Sequence, residues 1–280
     1  MCGIIGCVVI SKGRSLGVVR KIYKIYKNQK LRGIDGTGVS IFRNGVLKRV
    51  RDVEPDILFS VMYYKFWKKV KNGDIILVHH RIPTSGGGGD SLRSNHPISN
   101  EDNTLHLIHN GYITNVDFLY NKLIQMGHKF ETNISEKKGI YNITDSEVLV
   151  HILEEKDDIK EAVKLLDSVV DGHVAIGFVK KGENKIWLYR NGWNPIETFK
   201  DEVGNLFFAS EMPEKEGFKK LKKIDENVLY SLDKDDGLVR YRKFKQIKGK
   251  KKKGIKKSNN TENWYGFDEN GEWLGGDTKW

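Results

Sequence analysis

The second residue of the chain is a cysteine, and it stands directly before a glycine and a short apolar run in the sequence MCGIIGCVVI. A small residue is common at position 2, so chance is one explanation. The other is that removal of Met1 makes Cys2 the first residue of the mature chain. Cys2 would then carry a thiol and a free α-amino group on the same residue, which together supply a nucleophile and a base.

Four further stretches place glycine and polar residues where a buried strand would not. Each has an ordinary structural explanation when it is taken alone, as a turn before a strand, a turn, or a helix cap. RGIDGTG, the first of the four, also lacks the Lys-Ser/Thr pair of a phosphate-binding loop. The stretches are RGIDGTG (32–38), HHRIPTSG (79–86), HNGYITN (109–115) and TDSE (144–147).

Several histidines lie among these stretches and raise the question of a metal site. His79, His80, His96 and His109 are the candidates, but they lack a close ligand spacing such as His-x-x-x-His. We therefore expect neither a metal ion nor an organic cofactor.

The elements that must position these stretches are predicted from hydrophobic periodicity and turn residues. Thr144 is a candidate N-cap, with Glu147 three residues later as in a capping box. The patterns predict hairpins over 39–50, around Asn44-Gly45, and over 174–191. They predict helices over 16–29, 57–70, 116–126, from 145 onward and over 159–169, and strands over 2–10, 74–81, 105–108, 206–209, 228–232 and 238–244.

The order of these elements indicates the fold class. Strands gather at both ends of the chain and helices lie between them, which differs from the strict β-α alternation of a doubly wound sheet. The order suits an α+β domain in which two sheets pack face to face with helices outside them.

Together with Cys2, the four stretches resemble the class II glutamine amidotransferases, which are N-terminal nucleophile (Ntn) hydrolases. The resemblance runs from Cys2 to Glu211 and includes NHP (95–97), RNGWNPIETF (190–199) and FFASE (207–211). It implies the Ntn hydrolase fold, a four-layer α/β/β/α sandwich of two mostly antiparallel sheets.

The resemblance also implies the catalytic residues. Cys2 would attack the side-chain amide carbon of glutamine. Asn110 and Gly111 would supply the oxyanion hole through a side-chain amide and a backbone N–H, donors typically worth about 3–4 kcal/mol each. The α-amine, with a pKa of about 8, would take the proton of the thiol.

The same resemblance assigns the substrate-binding residues. Arg81 would bind the α-carboxylate of glutamine, Asp145 the α-ammonium group, and Thr84 would add a hydroxyl. Arg32 would support Cys2 without touching the substrate. Many relatives have Thr-His-Gly where this chain has Thr84-Ser85-Gly86, so the lid over the glutamine pocket is expected to differ, and the glycines at 86–89 suit a loop that closes.

The formal charge of +11 is concentrated in one segment, because eleven Lys or Arg and no acid lie between Arg240 and Lys257. Such runs are usually solvated or disordered tails, although they also attract polyanions. We expect one domain over residues 2–244 and a basic, disordered tail over 245–280. A nucleic-acid contact through residues 240–257 stays open.

The composition indicates the cellular compartment, but it does not identify the partner that would accept the ammonia. Two cysteines exclude a disulfide framework, and the chain has neither a long apolar run nor a signal-peptide pattern, so we expect a cytoplasmic protein without membrane contact. About 35 residues after the last predicted strand are too few for a synthase domain. We expect a separate ammonia-accepting synthase subunit; the alternatives are a stand-alone hydrolase of a γ-glutamyl amide and a catalytically silent nucleic-acid-binding module.

Overall fold

The computed structural model describes residues 2–12, 16–29, 35–54, 56–60, 63–82, 92–132, 143–213 and 217–244. Arg32, Thr84, Met1, the glycines at 86–89 and residues 245–280 lie outside these ranges, so the predictions made for them remain predictions. No helix in the described ranges is both long and apolar enough to cross a membrane.

The described residues form thirteen strands and five α-helices. The helices are α1 (Leu16–Gln29), α2 (Tyr64–Trp67), α3 (Val116–Gln125), α4 (Asp145–Glu154) and α5 (Ile159–Val169). The strands are β1 (Gly3–Val8), β2 (Thr37–Arg43), β3 (Val46–Asp52), β4 (Ile75–His80), β5 (Ile98–Ser99), β6 (Leu105–Ile113), β7 (Gly172–Lys180), β8 (Lys185–Arg190), β9 (Glu197–Asp201), β10 (Leu206–Ala209), β11 (Phe218–Lys223), β12 (Val228–Asp233) and β13 (Gly237–Lys243).

The strands form two sheets. The first has the order β11-β9-β10-β1-β4-β2-β3 and the second β13-β12-β8-β7-β6-β5. Every pairing recorded between these strands is antiparallel. The first sheet places β1 between β10 and β4, so the strand that follows Cys2 is central and held on both edges.

Three apolar clusters show how the layers stack. One lies between the sheets and joins Ile4 of β1 to Ile108 of β6. A second covers the outer face of the first sheet with α1. The third covers the outer face of the second sheet with α3, α4 and α5. The predicted four-layer α/β/β/α sandwich is therefore confirmed.

The alternation along β1 determines which side chains enter the inter-sheet space. Ile4 and Val8 face the second sheet, whereas Ile5, Cys7 and Val9 pack under α1. Because side chains alternate along a strand, Cys2 extends the inter-sheet face. Cys7 is a fully buried core residue, as expected.

The hairpin predicted from Asn44-Gly45 is present as β2 and β3. Both turn residues have positive φ, 50° at Asn44 and 77° at Gly45, the conformation of the tight turn that matches strand twist.

The helix predicted over 57–70 is wrong in extent. The described residues there form a 3-10 turn, Ile57–Phe59, and the four-residue α2, separated at Ser60, which is extended with ψ 172°. The indole N–H of Trp67 donates to the carbonyl of Leu58, and its ring stacks on Phe59. Tertiary packing of the aromatic side chains thus replaces the helical continuation.

The capping box predicted at Thr144 is also wrong, although α4 begins where expected. Thr144 makes no side-chain cap hydrogen bond. The carboxylate of Glu147 instead accepts backbone N–H groups from Glu131 at 2.6 Å and Thr132 at 2.9 Å, and the backbone N–H of Thr144 donates to Thr132 Oγ1 at 3.0 Å. Glu147 therefore attaches the segment after α3 to the first turn of α4.

Three strands carry no clear signal in the sequence. β5 has two residues, β9 mixes charged and apolar positions, and β11 reads FKKLKK at the edge of its sheet. Lysines on an edge strand oppose further strand pairing, so their polarity suits the position.

Candidate active site

Cys2 lies where β1 pairs with β4, at the end of the first sheet where Gly3 is opposite His80. Its thiol contacts the backbone of Ile82, with Sγ 3.4 Å from the amide nitrogen and 3.5 Å from the carbonyl oxygen. Cys2 is only 8% exposed. The sulfur is therefore fixed beside the residue that follows Arg81.

The surroundings of Cys2 act on its ionisation. Burial raises the pKa of the thiol, and the carboxylate of Asp145 raises it further, whereas the backbone of Ile82 and the guanidinium of Arg81 lower it. The net shift is upward, so the thiol is protonated at neutral pH and needs a base before it can attack.

Asn110 and Gly111 lie on β6, a strand of the second sheet that contacts the first sheet at this end. His79 on β4 bonds to the backbone carbonyl of His109 with Nε2 at 3.1 Å. Ile108 faces the inter-sheet space, so by alternation Asn110 faces it as well, as Cys2 does. The side-chain nitrogen of Asn110 is buried and has no hydrogen-bond partner among the described residues.

Position 111 requires glycine because β7 approaches the backbone closely there. A Cβ at this position would lie 1.9 Å from the carbonyl oxygen of His173, and Gly111 has a φ of 155°. Only glycine fits at this place in the strand pair, which keeps the backbone next to Asn110 unobstructed.

Asp145 is the first residue of α4, and its carboxylate is only partly engaged. Oδ1 accepts from the hydroxyl of Ser146 at 3.2 Å and lies 3.8 Å from Nδ1 of His109. Oδ2 is buried without a hydrogen-bond partner in the described part of the chain. One carboxylate oxygen is thus available for a cationic group.

Arg81 is anchored through its backbone at the end of β4. Its N–H donates to Gly36 O at 2.9 Å, and its carbonyl accepts from the N–H of Asp35 at 3.1 Å. The residue is buried. RGIDGTG and HHRIPTSG therefore meet through the backbone beside Cys2.

The histidines near the site are buried and electrically neutral. Burial lowers the pKa of His79 and His96 well below its usual range, and it lowers that of His109 as well. The rings of His79 and His96 lie 4.1 Å apart. His80 faces the other way, against Tyr26 of α1. The four histidines therefore do not converge on one point.

NHP packs behind the glycines of RGIDGTG. A Cβ on Gly38 would lie 1.9 Å from the carbonyl oxygen of His96, and a Cβ on Gly36 would lie 2.4 Å from Oδ1 of Asn95. Asn95 also donates to the carbonyl of Asp52 at 2.8 Å. This contact fixes β2 beside β4.

The two later segments support the site from the other side. Asn194 of RNGWNPIETF donates to the carbonyl of Asn110 at 3.2 Å. Ser210 of FFASE accepts the N–H of Ile4 at 3.2 Å and donates its own N–H to Ile4 O at 3.0 Å. The motif spacing pointed to these segments, but the roles of Asn194 and Ser210 as supports appear only in the structure.

Five predicted site residues thus lie around this end of the sheets: Cys2 beside the backbone that follows Arg81, Asp145 beside His109, and Asn110 and Gly111 next to His109 on β6. Arg32 and Thr84 lie outside the described residues. The fold, with Cys2 at the head of a central strand, defines the class as Ntn hydrolases.

Comparison with known proteins narrows the class. A family model described as a glutamine amidotransferase domain matches residues 88–215. The chain is 32% identical over 216 residues, 76% of its length, to a glutamine–fructose-6-phosphate aminotransferase (isomerizing) of Clostridium tetani, of which it covers 32%. It is 30% identical to the enzyme of the same name from Sulfurisphaera tokodaii, with 76% of the chain and 34% of that enzyme covered.

A solved structure supports the fold. A glutamine phosphoribosylpyrophosphate amidotransferase from B. subtilis superposes with a TM-score of 0.66 at 18% identity, over 86% of this chain and 49% of that one. The chain carries a class II glutamine amidotransferase domain, an enzyme domain of the Ntn hydrolase fold. It spans about a third of the length of the curated relatives it matches.

Proposed function

We propose that the chain hydrolyses the side-chain amide of L-glutamine with Cys2 as the nucleophile. The sulfur adds to the amide carbon, the C–N bond breaks, and ammonia leaves with the proton that the thiol released. Water then cleaves the glutamyl thioester to glutamate and restores the thiol. No cofactor enters either half-reaction.

The observation that carries this proposal is the pair of unengaged polar atoms near Cys2. The amide nitrogen of Asn110 is a buried donor, and Oδ2 of Asp145 is a buried acceptor, each without a partner among the described residues. Such groups cost about 1–3 kcal/mol when they stay unsatisfied. A glutamine in the pocket would satisfy both, with its developing oxyanion on Asn110 and its ammonium group on Asp145.

The proton of Cys2 has a natural acceptor in the α-amine of the same residue once Met1 is removed. Burial raises the pKa of the thiol, so spontaneous ionisation supplies little thiolate. The nearby histidines do not serve, because His79 bonds to a backbone carbonyl and His109 faces α4. We therefore assign the general base to the amine.

We further propose that the ammonia is used by a synthase unit outside these residues. The curated relatives named above are aminotransferases, and the chain corresponds to about a third of their length. The guanidinium of Arg81 and the hydroxyl of Thr84 would bind the α-carboxylate of glutamine. Arg32 would support Cys2.

The test is glutamate release from glutamine by purified chain whose intact mass shows that Met1 is absent. The proposal predicts turnover that is lost in Cys2→Ala. Activity that survives this substitution would contradict it, and so would full turnover in a chain that retains Met1.

The two alternatives predict different results in the same assay. A γ-glutamyl amide hydrolase would give a higher kcat/KM on amides with a substituted nitrogen than on glutamine. A catalytically silent module would give no glutamate with either class of substrate and salt-sensitive binding to nucleic acid. The convergence of Cys2, Arg81 and Asp145 favours the enzyme.

A further inference from the structure

A second cluster of ionisable side chains lies on the far half of α4, away from Asp145. His151 and Glu154 are one turn apart on this helix. His128 lies in the segment after α3, and Glu101 lies in the turn between β5 and β6. One ligand atom from each of these four residues lies within 4.8 Å of the others.

The distances between the donor atoms match a small coordination shell. Nδ1 of His151 lies 2.6 Å from Oε1 of Glu154 and 3.5 Å from Oε2 of Glu101. Nδ1 of His128 lies 3.2 Å from Oε1 of Glu154 and 3.8 Å from Oε1 of Glu101. A tetrahedron with metal–ligand bonds of about 2.0–2.1 Å has edges of about 3.3 Å, which falls inside this range.

Neighbouring side chains already hold the outer polar atoms of His128 and Glu154. Nε2 of His128 lies 2.6 Å from Oε1 of Glu155, and Asn100 donates to Oε2 of Glu154 at 2.7 Å. Metal-binding histidines almost always direct their second nitrogen to such a carboxylate or carbonyl group, which orients the ring. Here that orientation turns Nδ1 of His128 and Oε1 of Glu154 toward each other.

Oε1 of Glu101 is also held by a neighbour, whereas Nε2 of His151 has no hydrogen-bond partner among the described residues. The backbone N–H of Lys129 donates to Oε1 of Glu101 at 2.7 Å. His151 is fully buried, and its Nε2 lies 3.9 Å from Oε1 of Glu147, the residue that attaches the 131–132 segment to α4. Four ligands therefore come from three segments of the chain, and neighbouring groups hold three of them: Glu101, His128 and Glu154.

We propose that Glu101, His128, His151 and Glu154 bind one zinc ion. Two imidazole nitrogens and two carboxylate oxygens suit zinc, whereas calcium and magnesium favour shells made of oxygen alone. All four positions come from protein, which is the pattern of a structural site. The ion would join the turn before β6, the segment after α3, and α4.

The proposed zinc site would affect glutamine binding because it holds α4. Asp145 begins α4, and His151 lies six residues along it, about 9 Å away at 1.5 Å per residue. A bound ion would fix the axis of α4 and with it the position of the Asp145 carboxylate. The inference does not depend on turnover.

The test uses untagged full-length chain, stripped with a chelator and then titrated with ZnCl2. We expect one zinc per chain by elemental analysis and a rise in Tm of about 5–10 °C at a hundredfold excess of zinc over its Kd. Cobalt loading should give the visible absorption of tetrahedral Co²⁺. Glu155→Gln should weaken zinc binding about 10–100-fold.

Two ligand variants and a matched control complete the design. His128→Gln and Glu101→Gln should lose both the stoichiometric zinc and the rise in Tm. Glu161→Gln, which removes an exposed carboxylate from α5, should keep both. If stripped wild type takes up no zinc and its Tm does not respond, the cluster is held by shared protons alone and the proposal is wrong. An equal zinc response in His128→Gln would also overturn it.

Discussion

At the residue scale, the site contains polar groups that are engaged at one atom and open at another. Asp145 receives Ser146 on Oδ1 and leaves Oδ2 unpaired, and Asn110 receives Asn194 on its carbonyl while its side-chain nitrogen has no partner among the described residues. The Ser146 contact orients the Asp145 carboxylate, whereas Asn194 holds the backbone of Asn110. The open atoms are those that our proposal assigns to glutamine.

Replacement of the nucleophile is the first residue-scale prediction. Cys2→Ala should lower kcat for glutamate release by about 10³-fold or more, since no other thiol faces the inter-sheet space at this end. Cys7→Ala is the matched control, because Cys7 is buried under α1 on the opposite face of β1. Its kcat should stay near that of wild type, and a loss equal to that of Cys2→Ala would contradict the assignment.

The second prediction concerns the oxyanion hole. Asn110→Ala should lower kcat about 10²–10³-fold with little change in KM, because the amide donates only to charge that develops in the transition state. Asn121→Ala, on the exposed face of α3, is the control and should leave both constants unchanged. A large rise in KM at unchanged kcat would assign Asn110 to ground-state binding instead.

The candidate site was predicted from the sequence because short motifs carry a family resemblance, and the resemblance assigns a role to each residue. A thiol behind Met1, an arginine for a carboxylate and an aspartate for an ammonium group are local signals. The contacts of Asn194 and the cluster of Glu101, His128, His151 and Glu154 are not local, because only the fold brings these distant residues together.

At the element scale, close backbone contacts fix the strands that carry the site. β2 lies against the NHP segment, where the carbonyl of His96 would meet any Cβ on Gly38. α4 receives the 131–132 segment through Glu147. Displacement of either contact would move Arg81 or Asp145.

The Gly38 contact gives a stability prediction. Gly38→Ala should lower the free energy of unfolding by about 1–3 kcal/mol or more, the usual cost of overpacking. Gly17→Ala is the control, since Gly17 lies in α1 with no atom within 4 Å of a built Cβ. It should raise stability by up to about 1 kcal/mol through helix propensity. Denaturant unfolding measures both, and equal effects would contradict the packing argument.

The carboxyl group of Glu131 gives a prediction about how the stability of the fold depends on pH. Burial raises the pKa of its carboxyl, but hydrogen bonds from Arg49 and Arg51 outweigh burial, and the net pKa is lowered. A lowered pKa stabilises the fold above the unfolded pKa of about 4.3 and loses that contribution as pH falls below it. The side chain is 42% exposed, so the contribution is below about 1 kcal/mol.

Glu131→Gln should therefore lower Tm by about 2–4 °C or less at pH 7 and flatten the fall of Tm between pH 5 and pH 3. Glu161→Gln, whose partner Lys164 is also largely exposed, is the control and should change Tm less. An unchanged acid slope in Glu131→Gln would show that the two arginines do not stabilise the carboxylate.

Local periodicity predicted some elements to the residue and failed at others. α1 and β10 have the bounds that their apolar spacing indicates. The helix expected over 57–70 breaks because Trp67 packs on Phe59, a tertiary contact that periodicity does not contain. β11 is a lysine-rich strand at the sheet edge, and its neighbour β9 mixes charged and apolar residues, so neither shows the hydrophobic pattern that marks a strand.

At the scale of the whole molecule, the two sheets meet at the end that carries Cys2. β1 contacts β6 across the inter-sheet space, and His79 bonds to the backbone of β6. The order of strands and helices in the sequence suits two facing sheets better than a doubly wound fold, and the family resemblance implies the four-layer sandwich.

Removal of residues 245–280 gives a prediction at this scale. The last described strand, β13, ends at Lys243 and pairs only with β12. The truncated chain should keep the kcat and KM of the full chain and lose any salt-sensitive binding to nucleic acid. A loss of turnover on truncation would assign these residues to the fold or to the closure of the site.

The most direct measurement of the central claim is peptide mapping of the mature chain after an acid quench during glutamine turnover. The account predicts that the N-terminal peptide begins at Cys2 and carries a glutamyl group on its sulfur, and that this adduct disappears when glutamine is consumed. A glutamyl group on any other residue, or turnover with Met1 still attached, would contradict the claim.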